Sequence, residues 1–262
     1  MTIQEERFQQ GLEIRSKFGT GTLSSGSVPE SMDIAPDLHR ILGEVLFGSL
    51  WARPALNMET REMVTLSVLT VLQRETQLKR HLGNALNLGL TPEQIVEVLI
   101  HMTFYGGAPP ILNALGMAAA IFKERRINFV PQQVYDPKED IEAVYQRGVA
   151  RRNELMGEST GGGRPGPTTN AEREFGRLTT EYYWGSIWTR PGLTLRNRSI
   201  CTISALTVLG RHGPLRSHIR GALHIGMSQE EITEVLIHTT LYGGIPFSRE
   251  AMDIANEIYR AG

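Results

Sequence analysis

Apolar residues recur along this chain with the spacing of buried helices. The segment Glu59 to Leu72 carries apolar side chains almost all round a helix, at Met63, Val64, Leu66, Val68, Leu69, Val71 and Leu72. This pattern is typical of a helix that is covered on every face, and Arg196 to Leu209 repeats it. No segment shows the sustained alternation of a strand. We therefore predict an all-α fold.

Polar and small residues mark where the helices begin and end. Thr91 supplies a capping hydroxyl, Pro92 follows at the first helical position, and Gly106 and Gly107 end the helix. Ser228 to Gly244 repeats this arrangement. Further helices are predicted over Thr76 to Leu88 and from Pro110 to about Arg125. Each unit of four or five helices should form a bundle-like domain.

The chain contains an internal repeat with an offset of 137 residues. Without gaps, 31 of the 62 positions from Gly48 to Pro109 are identical to those from Gly185 to Pro246. The same offset aligns Gly11 with Gly148, so the repeat includes the N-terminal helix. We therefore predict two tandem helical repeats that pack with pseudo-twofold symmetry.

The boundary between the repeats does not lie in the most linker-like stretch of the sequence. That stretch, Gly157 to Asn170, aligns with the polar stretch Thr20 to Asp33, so both are predicted to be exposed loops inside a repeat. Pro131 and Pro137 punctuate the chain between two predicted helices. We place the first repeat at residues 1–132 and the second at 133–262.

Composition narrows the classes of function. The chain has 27 Lys and Arg against 28 Asp and Glu, and 40% of its residues are hydrophobic, so no charge excess favours nucleic acid. There is no signal-peptide pattern and no apolar run of about 18 residues that would span a membrane. We expect a cytoplasmic protein. Cys201 is the only cysteine, which excludes a disulfide or a Cys-x-x-Cys pair within the chain.

Few polar residues are present in both repeats, and Arg74 and His81 are the candidates for chemistry among them. They are seven residues apart, about two helical turns, so both side chains could point into one cleft and bind a carboxylate. Arg211 and His218 are their counterparts in the second repeat. The alternative is structural: Arg74 would cap the preceding helix, and His81 would be a hydrogen-bonded core histidine.

Other shared polar residues are interpreted as structural. Glu97 and His101 lie one helical turn apart and are predicted to bond to each other. Tyr105 and Tyr242 precede helix-ending glycines, so their hydroxyls could reach the neighbouring repeat, and we assign them no catalytic role. The seven histidines are scattered without a metal-binding motif, so no metal is predicted.

Three motifs in the first repeat resemble those of the carboxymuconolactone decarboxylase family, and the second repeat has weaker versions. They are Arg74-Glu-Thr-Gln-Leu-Lys-Arg-His81, Ala85-Leu-Asn-Leu-Gly-Leu-Thr-Pro-Glu-Gln-Ile-Val-Glu-Val-Leu99 and Tyr105-Gly-Gly-Ala-Pro109. The resemblance covers roughly residues 38–122 and 175–259. It implies an all-α, alkyl hydroperoxidase D-like fold in two tandem copies.

The resemblance also implies two possible chemistries, decarboxylation of a lactone acid and reduction of hydroperoxides. The peroxidase branch uses Cys-x-x-Cys four residues before a histidine, and Arg74 and Gln77 stand at those positions here. Cys201 lies in an apolar run with no second cysteine to resolve it. Peroxidase chemistry of that type is therefore disfavoured.

We expect a cofactor-free lyase that acts on a small carboxylated lactone or ring acid, as in aromatic compound catabolism. Arg74 would bind a carboxylate, His81 would deliver a proton, and Glu62, which matches a family glutamate, would orient one of them. Ser199 replaces that glutamate in the second repeat, so only the first repeat is complete. The alternatives are a non-catalytic ligand-binding protein and a peroxidase that lacks the cysteine pair.

The resemblance also bears on assembly. Single-repeat members of the family typically form hexameric rings, and a two-repeat chain supplies two of six positions. We therefore expect a homotrimer with pseudo-sixfold symmetry, with the Arg74 to His81 cleft near a boundary between repeats. A monomer in which the two repeats cover each other's apolar surface is the alternative.

Overall fold

The computed structural model describes residues 1–19, 33–157, 166 and 169–261. The first repeat begins with an N-terminal helix, and its second helix continues directly as a π-helix. Its elements are α1 (Ile3–Ser16), α2 (Pro36–Leu42), π1 (Gly43–Trp51), α3 (Met58–Val71), α4 (Glu75–Asn87), α5 (Pro92–His101), α6 (Thr103–Gly106) and α7 (Ala108–Glu124).

The second repeat has the same order of elements. They are α8 (Ile141–Met156), α9 (Asn170–Leu178), π2 (Thr179–Ile187), α10 (Leu195–Val208), α11 (His212–His224), α12 (Gln229–His238), α13 (Thr240–Gly243) and α14 (Ile245–Ala261). The described residues contain no strand, which confirms the predicted all-α fold of two repeats. None of the described helices combines the length and apolar content that crossing a bilayer requires.

Several local predictions agree with the structure. Thr91 and Ser228 both cap their helices through a capping box, in which Gln94 and Glu231 complete the reciprocal hydrogen bond. The proposed boundary at residue 132 falls in the non-helical segment between α7 and α8, and it stays a prediction. The stretches Thr20 to Asp33 and Gly157 to Asn170, predicted as exposed loops, lie mostly outside the described residues.

The buried helices α3 and α10 pack against each other at the centre of the molecule. Every residue from Arg61 to Val71 in α3 is buried, as is every residue from Arg198 to Val208 in α10. A single apolar core continues across both repeats. Neither repeat could cover its central helix alone, because the other repeat supplies one face of the packing.

Glycines allow the N-terminal helix of each repeat to approach its π-helix closely. A Cβ atom at Gly11 would overlap the carbonyl oxygen of Gly43, and one at Gly48 would overlap that of Arg7. Gly148 and Gly185 make the same close contacts in the second repeat. This packing fixes α1 beside π1, so residues at the end of α1 can line a site formed by the rest of the repeat.

A buried polar network joins the two repeats on one side of α3. Glu234 accepts hydrogen bonds from the Nε of Arg53 at 2.7 and 2.9 Å and from an Nη of Arg61 at 3.0 Å. Burial opposes ionisation of Glu234, but the hydrogen bonds from Arg53 and Arg61 outweigh it and lower its pKa. His238 lies against Arg61 at 3.4 Å and against Thr65 at 3.0 Å. Burial and the nearby Arg61 hold the pKa of His238 well below its usual value, so the ring stays neutral.

The same network recurs on the other side, at the positions related by the 137-residue offset. Glu97 accepts hydrogen bonds from Arg190 at 2.9 and 3.1 Å and from Arg198 at 3.1 Å. His101 contacts Arg198 at 3.2 Å and Thr202 at 2.9 Å. The prediction that Glu97 and His101 bond to each other is therefore wrong. They share a helix face, but both bond to arginine from the opposite repeat.

Neutralising Glu97 should destabilise the fold strongly. Glu97→Gln would leave Arg198, whose side chain is 1% exposed, without its counter-charge. Breaking a buried pair in this way costs roughly 3–5 kcal/mol. We expect a loss of about that size in the free energy of unfolding, measured by urea denaturation.

Glu139→Gln is the matched control, because Glu139 pairs with Arg147 on the surface, where the side chains are 33% and 41% exposed. Exposed pairs contribute little to stability, because water and salt screen the charges. Equal losses for the two variants would show that the buried network does not hold the repeats together.

Candidate active site

A cavity of about 540 Å³ opens in the first repeat, beside π1 and α4. The N-terminal helix α1, the α2–π1 helix and α4 form most of its wall, and α13 of the second repeat closes one side. The lining residues are Arg15, Phe18, His39, Leu42, Gly43, Leu46, Phe47, Leu69, Arg74, Thr76, Gln77, Arg80, His81, Asn84, Leu241 and Tyr242. The predicted site residues Arg74 and His81 thus line one cavity, at the boundary between the two repeats.

The described lining of this cavity carries positive charge. Three arginines line it, Arg15, Arg74 and Arg80, and the described lining includes no aspartate or glutamate. The Arg15 guanidinium also lies over the Phe47 ring, 5.4 Å from its centre, which holds this cation at the wall. Guanidinium groups bind carboxylates well because several N–H donors lie in one plane. The cavity is therefore suited to a small acid with more than one carboxylate.

Glu62 and His81 form a buried pair at this site. The Nδ1 atom of His81 lies 2.8 Å from Oε1 of Glu62, and the two side chains are 7% and 0% exposed. Burial raises the pKa of Glu62, although His81 favours its ionised form. The bond to Glu62 fixes the ring orientation of His81, so that Nε2 is the nitrogen left for a ligand. The family resemblance in the sequence predicted Glu62 as a site residue, and in the structure Glu62 contacts His81.

Aromatic rings hold the other faces of His81. The indole of Trp51 stacks nearly parallel to the imidazole with ring centres 6.5 Å apart, and Phe18 contacts it edge-on. The Tyr242 ring lies perpendicular to it at 5.5 Å. These contacts leave the imidazole little rotational freedom, which favours proton transfer in a fixed direction.

In the second repeat, larger side chains occupy the space that corresponds to this cavity. Tyr183 and Trp184 stand at the positions of Leu46 and Phe47, and both are larger than the residues they replace. The hydroxyl of Tyr183 lies 2.5 Å from that of Tyr105 and 3.5 Å from Nε2 of His218. Trp184 stacks on His218 with ring centres 6.1 Å apart. A ligand would have to displace these rings to reach His218.

The second repeat has also lost the polar partners of the first site. Ser199, in place of Glu62, donates to the Leu195 carbonyl instead of the histidine. Nδ1 of His218 is buried and has no hydrogen-bond partner among the described residues. Burial lowers the pKa of His218 to about 3. Arg211 still precedes α11 as Arg74 precedes α4, but Ser217 replaces the cavity residue Arg80.

Several lining residues were not predicted from the sequence. Arg15, Arg80 and Asn84 come from α1 and α4; Arg80 lies inside the first family motif and Arg15 is matched by Arg152, but neither was assigned to the site. Trp51 and Tyr242 did carry a signal, because each is identical in both repeats. That signal shows that a residue is shared by both repeats and cannot tell a structural role from a functional one.

Comparisons with known proteins agree with the repeat structure. A sequence model described as the carboxymuconolactone decarboxylase family matches residues 36–120 and again residues 173–257. The chain is 34% identical over 119 residues to 4-carboxymuconolactone decarboxylase of Acinetobacter baylyi, which covers 45% of this chain and 89% of that protein. It is 30% identical over 114 residues to nitrosuccinic acid decarboxylase of Metarhizium robertsii, covering 44% and 80%. Each relative thus corresponds to about one repeat.

The buried His218 should make the protein less stable as the pH falls. The unfolded chain binds a proton at this position below about pH 6.5, whereas the folded protein does so only near its pKa of about 3. Stability is therefore lost as the pH falls through this interval, by about 1.4 kcal/mol per pH unit. His218→Phe should reduce the loss of unfolding free energy between about pH 7 and about pH 5 by roughly 2 kcal/mol.

Urea denaturation at several pH values measures this effect. His212→Phe serves as the control, because the side chain of His212 is 52% exposed and does not carry this burial cost. If His218→Phe and the parent protein lost stability in parallel on acidification, His218 would not be held neutral by the fold.

Proposed function

Because this chain belongs to the carboxymuconolactone decarboxylase family, we propose that it is a cofactor-free carboxy-lyase whose substrate is 4-carboxymuconolactone or a related small acid. The observation that supports this most directly is the Glu62–His81 pair, with Nδ1 and Oε1 2.8 Å apart, at a cavity lined by three arginines. Such a site can bind a multiply charged acid and protonate a carbon atom. The two named relatives are both decarboxylases.

The proposed reaction begins with binding of the acid by the arginines. Arg74, at the start of α4, would hold a substrate carboxylate together with Arg15 or Arg80. The carbon–carbon bond to a second carboxylate then breaks, CO₂ leaves, and the electron pair moves onto the carbon and its adjacent carbonyl group. The cationic wall of the cavity stabilises the charge that develops on the carbonyl oxygen.

Proton delivery completes the reaction. His81 would give a proton from Nε2 to the carbanionic carbon and take another from solvent afterwards. Glu62 keeps Nδ1 engaged and stabilises the protonated ring, in the manner of a carboxylate that orients a catalytic histidine. No electron acceptor or metal is needed in this sequence of steps.

Peroxide reduction is not supported by the chemistry of the only sulfhydryl group. Cys201 is fully buried in α10, and burial raises the pKa of its thiol to about 11. A thiolate nucleophile is required for that reaction. Arg74 and Gln77, at the positions that the peroxidase branch gives to cysteines, both line the cavity and cannot replace them.

Removal of His81 should lower turnover strongly, and it should also destabilise the fold because the buried Glu62 loses its partner. We expect His81→Ala to lower the rate of CO₂ release from 4-carboxymuconolactone by about 10²–10⁴-fold, the usual contribution of a general acid. His218→Ala, its matched control in the filled repeat, should turn over at nearly the parent rate. Assays of CO₂ release would measure turnover, and circular dichroism of the same samples would show whether each variant keeps its helical content.

Unchanged turnover in His81→Ala would remove the proposed mechanism. Binding of several ring acids by the parent protein in thermal-shift assays, without turnover of any, would instead favour the ligand-binding alternative.

We also propose that three chains assemble into a closed ring. Each repeat exposes the same apolar face of its second helix: Leu38, Ile41 and Val45 are 47%, 53% and 41% exposed, and Phe175, Leu178 and Tyr182 are 69%, 47% and 37% exposed. These residues correspond through the 137-residue offset and follow helical spacing. Matched apolar faces on the surface support self-association, and the family resemblance supports six repeats per ring.

Sedimentation or light scattering at micromolar concentration should give about three times the 29.2 kDa mass of one chain. Ile41→Glu together with Leu178→Glu should shift the protein to smaller species, because a charge is costly in an apolar interface. Val130→Glu, in the exposed segment between α7 and α8, should leave the mass unchanged. A parent protein with the mass of one chain would rule the ring out.

A further inference from the structure

Tyr242 belongs to the second repeat but lines the cavity of the first. It lies in α13 (Thr240–Gly243), and Leu241 beside it also faces this cavity. All other lining residues come from positions 15–84. The site in the first repeat is therefore incomplete without the second, and Tyr242 is the polar side chain that the second repeat contributes to the described lining.

Two contacts fix the position of the Tyr242 hydroxyl group. The indole Nε1 of Trp51 donates a hydrogen bond to it at 2.8 Å, and Trp51 is itself only 1% exposed. The Tyr242 ring is perpendicular to the His81 ring, with centres 5.5 Å apart and an angle of 84°. The hydroxyl is thus held close to the histidine that the proposed mechanism uses as proton donor.

The direction of the Trp51 bond determines what the hydroxyl can do. An indole N–H can only donate, so the Tyr242 oxygen accepts and its own proton remains to be donated. Thr65 also lies beside this hydroxyl, and a ligand oxygen in the cavity that Tyr242 lines could accept the Tyr242 proton. Burial raises the pKa of Tyr242, so the group keeps its proton and acts as a neutral donor.

We propose that Tyr242 is a catalytic residue that the second repeat supplies to the first, donating a hydrogen bond to an oxygen of the bound acid beside His81. This inference rests on the proposed function. It revises the interpretation of Tyr242 from the sequence as a purely structural helix-ending residue. A neutral donor at this position complements the arginines, because it can stabilise an oxygen that gains charge only as CO₂ leaves.

The pseudo-symmetric tyrosine, Tyr105, also reaches the opposite repeat, but different groups contact its hydroxyl. Tyr105 projects from the first repeat toward the second, where its hydroxyl lies 2.7 Å from Thr202 and 2.5 Å from Tyr183. Tyr183 fills the space that a ligand would need. Tyr105 therefore also loses hydrogen bonds when its hydroxyl is removed, but it does not line the cavity of the first repeat.

This relation provides a matched pair of variants, Tyr242→Phe and Tyr105→Phe. Turnover of 4-carboxymuconolactone and nitrosuccinate would be measured with the full-length protein. Binding of tricarballylate, an unreactive tricarboxylate, would be followed by calorimetry. We expect Tyr242→Phe to lower kcat/KM by about 10²-fold or more and to weaken tricarballylate binding by about tenfold. Tyr105→Phe should change kcat/KM and tricarballylate affinity by less than about twofold each. Its change in Tm should be similar to that of Tyr242→Phe.

The two readouts separate this inference from the proposed function. If the parent binds tricarballylate but decarboxylates neither acid, the proposed reaction fails, and weaker binding by Tyr242→Phe still supports the contact. If Tyr242→Phe has the same tricarballylate affinity and kcat/KM as the parent, the contact is overturned. The same holds if Tyr242→Phe and Tyr105→Phe lose equal amounts of both. A parent protein that neither binds tricarballylate nor turns over either acid overturns both proposals.

Discussion

The constraint on which the rest of this structure depends is that each repeat buries one arginine whose counter-charge lies on the other repeat. Arg61 and Arg198 are almost completely buried, and their carboxylate partners are Glu234 and Glu97. A buried guanidinium without a partner is very costly, so a stable single repeat would need a different surface. The pairing also fixes orientation, because the two networks form together only in the pseudo-twofold arrangement.

That arrangement determines where the cavity lies. The network of Arg61, Thr65 and His238 supports Trp51, whose ring contacts His238 with centres 4.7 Å apart. Trp51 in turn stacks on His81 and holds the hydroxyl of Tyr242. The inter-repeat ion pairs are therefore continuous with the candidate site through one tryptophan. A change that separates the repeats would therefore also disturb the contacts of His81.

The sequence predicted the scaffold better than the contents of the site. Sequence patterns were enough to predict the 137-residue offset, the helix caps at Thr91 and Ser228, and the central buried helices. The π-helices were missed because a gradual change of helical pitch has no clear residue signature. Glu97 was assigned the wrong partner because its arginines lie 93 and 101 residues away along the chain. Tyr183 fills the second cavity because of where its ring lies relative to residues far away in the sequence, and the spacing of residues along the chain does not show this.

Covalent fusion of the two repeats explains how their sites could diverge. In a ring of identical single repeats, a substitution that filled one cavity would fill all of them, so such a change would remove the activity entirely. In a fused chain, Tyr183 and Ser199 can alter one cavity while Leu46 and Glu62 are kept in the other. The filled repeat nevertheless retains the residues that face its neighbour, namely Glu234, His238 and Tyr242. Tyr242 lines the first cavity, and Glu234 and His238 belong to the network that supports it, so these residues remain under the constraints of the first site after the second cavity has closed.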